Sequence, residues 1–148
     1  MEDAQLKKWE PINFVFYASF IKWPVLVGII LEIIFRLLVS YFLEDWTSGR
    51  IDLIAWIIRL LIFIYIGFKI ARTYGEIPQM GFLSGLMGGL GMGIIVAIFR
   101  FFEGFKIWKI FNLFSEPILV ALVGCLVGFL IVYLWELLPD KFLNENNN

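Results

Sequence analysis

The sequence has no histidine. Imidazole is therefore unavailable as general base or metal ligand, which removes the Ser/His and Cys/His catalytic arrangements and the His-based zinc sites. Cys125 is the only cysteine, so an intramolecular disulfide is excluded and the redox compartment is not indicated. Charged residues make up only 17% of the chain, and acids and bases nearly cancel at a net charge of −1. That balance points away from nucleic acid as a partner. A cleavable leader is not expected either: Met1 to Lys8 is mixed in charge, and the long apolar region that follows lacks a small-residue cleavage pattern.

Catalytic signatures of membrane enzymes are missing as well. The sequence carries no His-Glu-x-x-His motif, no paired aspartates of the intramembrane-protease kind and no Asp/Arg signature of phospholipid synthases. Ser84, within Phe82-Leu83-Ser84-Gly85, has no histidine to activate it. The expectation is a protein that is not an enzyme, with no cofactor and no bound metal.

What the chain does have is apolar surface. Of its 148 residues 61% are hydrophobic, against roughly 45–50% in soluble domains, and 18% are aromatic. Mean hydropathy is +0.87. A spanning helix needs about 20 mostly apolar residues, and four stretches qualify: 24–43, 53–70, 82–99 and 117–138. The expected architecture is a single all-α integral membrane domain over 1–148, with four transmembrane helices in an up-down bundle. Residues 11–23 and 101–116 read as interfacial aromatic or amphipathic segments, with Pro24 and Pro117 opening the spans. Residues 144–148 read as a frayed polar tail. Four spans place both termini on one side. Lys7, Lys8, Lys22, Lys69, Arg72 and Lys141 on that side, against Arg50, Arg100, Lys106 and Lys109 on the other, favour a cell membrane with cytoplasmic termini.

Two features stand out within the spans. Gly81, Gly85, Gly89, Gly93 and Ala97 recur every fourth residue, and Gly124 and Gly128 form a second small pair with Ala121 and Cys125 nearby. Small residues at this spacing let helix backbones approach closely in a bilayer, so the third span is expected to pack against the fourth. The second feature is charge. Glu32 and Arg36 stand one turn apart in the first span, on a stripe continued by Ser40, and Arg59 lies in the second. Intramembrane ionisable groups face the protein interior or water. Counted from the span centres at about 1.5 Å per residue, Glu32, Arg36 and Arg59 fall at similar depth, which predicts a polar cluster that includes Ser40. Its charge sums to +1, and the third and fourth spans offer no acid near that depth. Compensation is therefore expected from carbonyls, water, an anionic lipid or solute, or another subunit.

Three families invite comparison. Proteolipid rotor subunits of membrane ATPases, some of them four-span, use alternating Gly-x-Gly runs around an ion-binding acid, whereas the spacing here is four, and Arg36 and Arg59 do not suit a proton-binding ring. Small multidrug-resistance exporters carry a glutamate in the first of four spans, but Arg36 would hold Glu32 ionised against a cationic substrate. Mitochondrial inner-membrane translocase subunits have four spans with glycine motifs, but their signatures do not align with this chain. None of these resemblances covers enough of the chain to assign it. The function expected is a scaffold or accessory subunit packing through glycine-rich helices in the lipid bilayer, as a homo-oligomer or within a larger membrane complex. The alternative is a small oligomeric transporter or channel that uses the Glu/Arg cluster for an anionic solute or lipid headgroup.

Overall fold

The computed structural model describes residues 14–42, 47–74, 77–102 and 107–137. They form four helices: α1 (Phe14–Phe42), α2 (Ser48–Tyr74), α3 (Pro78–Phe102) and α4 (Ile107–Glu136). Each contains a stretch of 25 to 27 residues long and apolar enough to cross a membrane. Hydrocarbon offers no water to a free N–H or C=O, so a helix that satisfies its own backbone is the stable form of such sequence. The chain is a small polytopic membrane protein with an all-α four-helix fold. The predicted tail at 144–148 lies outside the described residues.

Among the described residues no Cα of α1 lies within 8 Å of one of α4, so these two helices are not backbone neighbours. Helices α2 and α3 contact each other and both outer helices, so the cross-section is a rhombus with α2 and α3 on its short diagonal. Phe63, Ile66 and Ile70 of α2 pack with Ile21 of α1 and with Val120 and Val132 of α4. A smaller cluster joins Ile29 of α1 to Met92 and Val96 of α3. The outward faces, including Leu26, Ile30, Leu122 and Leu126, are exposed, as expected of surfaces solvated by lipid.

Where the helices begin differs from the sequence expectation. Pro24 and Pro117 both lie inside continuous helices. A proline removes one backbone hydrogen bond, a loss that neighbouring helices can offset in a membrane protein. The turns before Pro24 are held by α2: Phe20 packs edge-on against Tyr74 at 5.7 Å, the Lys69 ammonium sits 4.3 Å over the Phe20 ring, and Ile21 is buried. Residues 14–23 are thus the first turns of α1, while 11–13 lie outside the described residues. The stretch 101–116 likewise divides. Residues 101–102 end α3, 107–116 open α4, and 103–106 are outside the described residues. At 30 residues, α4 extends about 45 Å, longer than a ~30 Å hydrocarbon core, so it tilts or reaches the headgroups.

The closest packing joins α3 to α4. Gly81 meets Gly128, Gly85 meets Gly124, Gly89 meets Ala121 and Gly93 meets Pro117, an antiparallel seam in a single register. At Gly85 the approach is closest: an added Cβ would fall on the Gly124 carbonyl oxygen, and the Gly124 position is equally closed by the carbonyl of Gly85. Lipid tails are as apolar as leucine, so dispersion contact between backbones, rather than escape from water, holds this seam. The seam is satisfied within one chain, whereas Gly91 has nothing within 4 Å of its would-be Cβ.

This contrast sets a test. Gly85→Ala is expected to destabilise the bundle by about 1–3 kcal/mol through overpacking. Gly91→Ala should leave stability unchanged or slightly raised, because alanine is the better helix former. Equilibrium unfolding in mixed micelles measures both; equal losses would mean that the seam is not the tight contact.

Candidate functional site

Charged side chains from all four helices converge in the half of the bundle toward the α1–α2 and α3–α4 connections. Glu32 and Arg36 project from the second half of α1. Asp52 and Arg59 lie two turns apart on α2, Arg100 is in the last turn of α3, and Glu116 is in the third turn of α4. Their positions follow from the packing. The α3–α4 seam places Pro117 under Gly93 and so brings Glu116 to the level of the interior charges.

Arg59 is the hub. Its Nε donates to Glu32 Oε2 at 2.8 Å and its Nη2 to Glu32 Oε1 at 2.7 Å, a two-point grip on one carboxylate. The same Nη2 donates to Glu116 Oε1 at 2.7 Å. The guanidinium carbon also lies 5.0 Å from the centre of the Trp56 ring, so the cation has an aromatic face beside it. Arg36 donates from Nε and Nη2 to Glu32 Oε1, each at 3.1 Å, and from Nη2 to Asp52 Oδ1 at 3.1 Å. Arg100 Nη1 donates to both oxygens of Glu116 at 3.2 Å, and its Nη2 lies 3.5 Å from Asp52 Oδ2.

Followed round, the partners close on themselves: Glu32, Arg36, Asp52, Arg100, Glu116, Arg59 and back to Glu32. Acid and base alternate, each charge has two opposite neighbours, and the three carboxylates balance the three arginines. Side-chain exposure rises from Glu32 (0%) and Arg59 (2%) through Arg36 (7%) and Glu116 (9%) to Arg100 (30%) and Asp52 (38%). The ring therefore runs from the dry interior to the bundle's end. Burial of a lone charge is prohibitive, whereas a paired and hydrogen-bonded one is tolerated.

The structure brings Glu32, Arg36 and Arg59 together but not Ser40, which is exposed. Each step of four residues overshoots the helical turn by about 40°. By Ser40 the stripe has rotated outward, and Val39 takes the inward position. The expectation that α3 and α4 supply no acid at this depth is also corrected, since Glu116 reaches Arg59 directly. Asp52 and Glu116 were the residues that sequence reasoning missed. Both stand one position outside the hydropathic spans, next to Leu53 and Pro117, yet both are inside helices. The two-turn spacing of Asp52 and Arg59 was the available signal, because it sets them on one face of α2.

Chemically, the cluster's carboxylates are committed to guanidinium groups. Among the described residues no three His, Cys, Asp or Glu side chains converge as a metal site would require. A recess of about 30 Å³, room for about one water, opens between Ala97, Arg100, Phe101, Lys109, Asn112 and Glu116. Ser84, the other buried polar side chain, stands four turns before Arg100 on α3, apart from the ring. No family model, no curated protein and no solved structure matches the chain.

Removal of Arg59 leaves Glu32 with Arg36 alone and Glu116 with Arg100 alone, and three buried or half-buried carboxylates against two arginines, so Arg59→Leu is expected to cost about 3–5 kcal/mol, or to prevent folding. Asp52→Asn, at the exposed edge, should cost less than about 1 kcal/mol. Unfolding midpoints of the two variants in one detergent give the comparison, and a cost that does not follow depth would contradict the ring's burial gradient.

Proposed function

We propose that the chain is a non-enzymatic scaffold or accessory subunit of a membrane, working as a homo-oligomer or within a larger complex. The observation that carries this reading is the charge-balanced ring that links all four helices. A carrier site for an anion needs cationic groups released from internal partners, whereas here each buried arginine is held by two carboxylates. Exchange of those partners during transport would expose buried charge at a cost of several kcal/mol per ion. The same closure favours a bundle that folds as one unit and offers its apolar outer faces to neighbours. We further propose the cell membrane as its location, with both termini cytoplasmic, on the lysine and arginine asymmetry of the segments flanking the helices.

Native mass spectrometry from mild detergent, paired with anion flux in liposomes, tests the reading. The expected outcome is a complex of fixed stoichiometry, with flux at the level of empty vesicles. A monomer that conducts an anion, with conduction abolished in Arg59→Gln, would establish the transporter instead. The orientation is checked by an introduced cysteine at Asn146, which should resist an impermeant reagent applied outside intact cells.

A further inference from the structure

Beside the ring, among the described residues, stands a cation that the ring does not include. Lys109, in the first turn of α4, donates from Nζ to the Arg100 carbonyl oxygen at 2.9 Å. That contact places a positive charge at the C-terminus of α3, where the helix dipole favours it. Its ammonium carries three donors, of which this bond uses one. Among the described residues no carboxylate pairs with Lys109, while the adjacent Arg100 is matched by Asp52 and Glu116. Lys109, Arg100, Asn112 and Glu116 line the water-sized recess; the Glu116 carboxylate is held by Arg59 and Arg100, while Asn112 is exposed.

Position adds a second observation. Lys109 opens the apolar stretch of α4, and Arg100 stands near the end of that of α3, so the recess lies at the boundary of the hydrocarbon. Phe102, Phe111 and Phe114 are strongly exposed around this level, at 80%, 68% and 68%. Exposed aromatic rings beside basic side chains mark the zone of headgroup and upper acyl chain. A lysine at this boundary extends its ammonium to the level of the lipid phosphates, where an anionic headgroup is at hand.

We propose that Lys109, supported by Arg100 and Asn112, binds the phosphate of an anionic lipid headgroup at the α3–α4 end of the bundle. The phosphate oxygens accept from the Lys109 ammonium and the Asn112 amide at the mouth of the recess. The site adjoins the ring at Arg100, whose own charge is already balanced by Asp52 and Glu116, and does not depend on whether the chain is a scaffold.

Lipid titration monitored by native mass spectrometry tests this with phosphatidylglycerol, phosphatidylcholine and inorganic phosphate as probes. Phosphatidylglycerol is expected to bind the wild type more tightly than phosphatidylcholine. Lys109→Gln should weaken it about fivefold, the weight of one basic residue near an anionic surface. Lys109→Arg should restore binding, and Asn112→Ala should weaken it without loss of fold. Arg50→Gln removes an exposed charge at the same end of the bundle and should bind like wild type. Equal losses in Arg50→Gln and Lys109→Gln would reduce the effect to diffuse surface charge and overturn the site. Unchanged binding in Lys109→Gln would also overturn it. A Lys109-dependent response to inorganic phosphate with none to phosphatidylglycerol would overturn the lipid assignment.

Discussion

The guanidinium of Arg59 bridges two helices, α1 and α4, whose backbones are not neighbours. It holds Glu32 of α1 on one side and Glu116 of α4 on the other, with almost no exposure. None of these three groups can be buried alone, so their mutual satisfaction fixes how α1, α2 and α4 are set along their axes. Arg36, Asp52 and Arg100 extend the same logic outward until the charges close into a ring. Buried ion pairs are weak evidence for net stability, because desolvation offsets much of their attraction. Their contribution here is better understood as specificity. In lipid, apolar helix faces discriminate poorly between partners, and a misplaced helix would strand a charge at a cost of several kcal/mol.

The glycine seam does the complementary work between α3 and α4. Backbone contact at Gly85 and Gly124 allows little sliding, since a shift of one residue would bring larger side chains into the gap. The register that results delivers Glu116 to Arg59 and Arg100. Close backbone packing and long-reach ion pairing are thus coupled: the seam positions the acid, and the acid secures the seam's end. Gly28 is part of the same scheme, because a Cβ there would press on Ile62 and Met92 and push α1 away from the ring.

Much of this was legible in the residues. Four apolar runs announce four helices, the four-residue spacing of Gly81 to Ala97 announces close packing with α4, and Glu32, Arg36 and Arg59 announce a polar interior. The net charge of that interior was misjudged, because hydropathy draws a span's edge at its first polar residue. Asp52 and Glu116 lie at such edges, Asp52 just before the second span and Glu116 at the end of the interfacial segment 101–116, yet an arginine side chain reaches across one or two helical turns and makes the edge part of the core. Proline misled in the same way. Pro24 and Pro117 read as helix starts because proline is most at home in a first turn, but contacts from Phe20 to Tyr74 and from Glu116 to Arg59 carry both helices through. Ser40 failed for a simpler geometric reason, the drift of a four-residue stripe around the helix.

Two kinds of charge thus coexist in one small protein. The deep ones pair with each other and define the bundle, while Lys109 stands at the rim beside Arg100. If the six ring residues act as one unit, a double-mutant cycle between Glu32 and Glu116 shows it most directly. The two carboxylates share one nitrogen of Arg59, each at 2.7 Å, so their coupling reports the common hub together with their mutual repulsion. Glu32→Gln and Glu116→Gln, alone and combined, are to be compared by equilibrium unfolding in bicelles. The account predicts a coupling energy of about 0.5–3 kcal/mol; additive costs would contradict it.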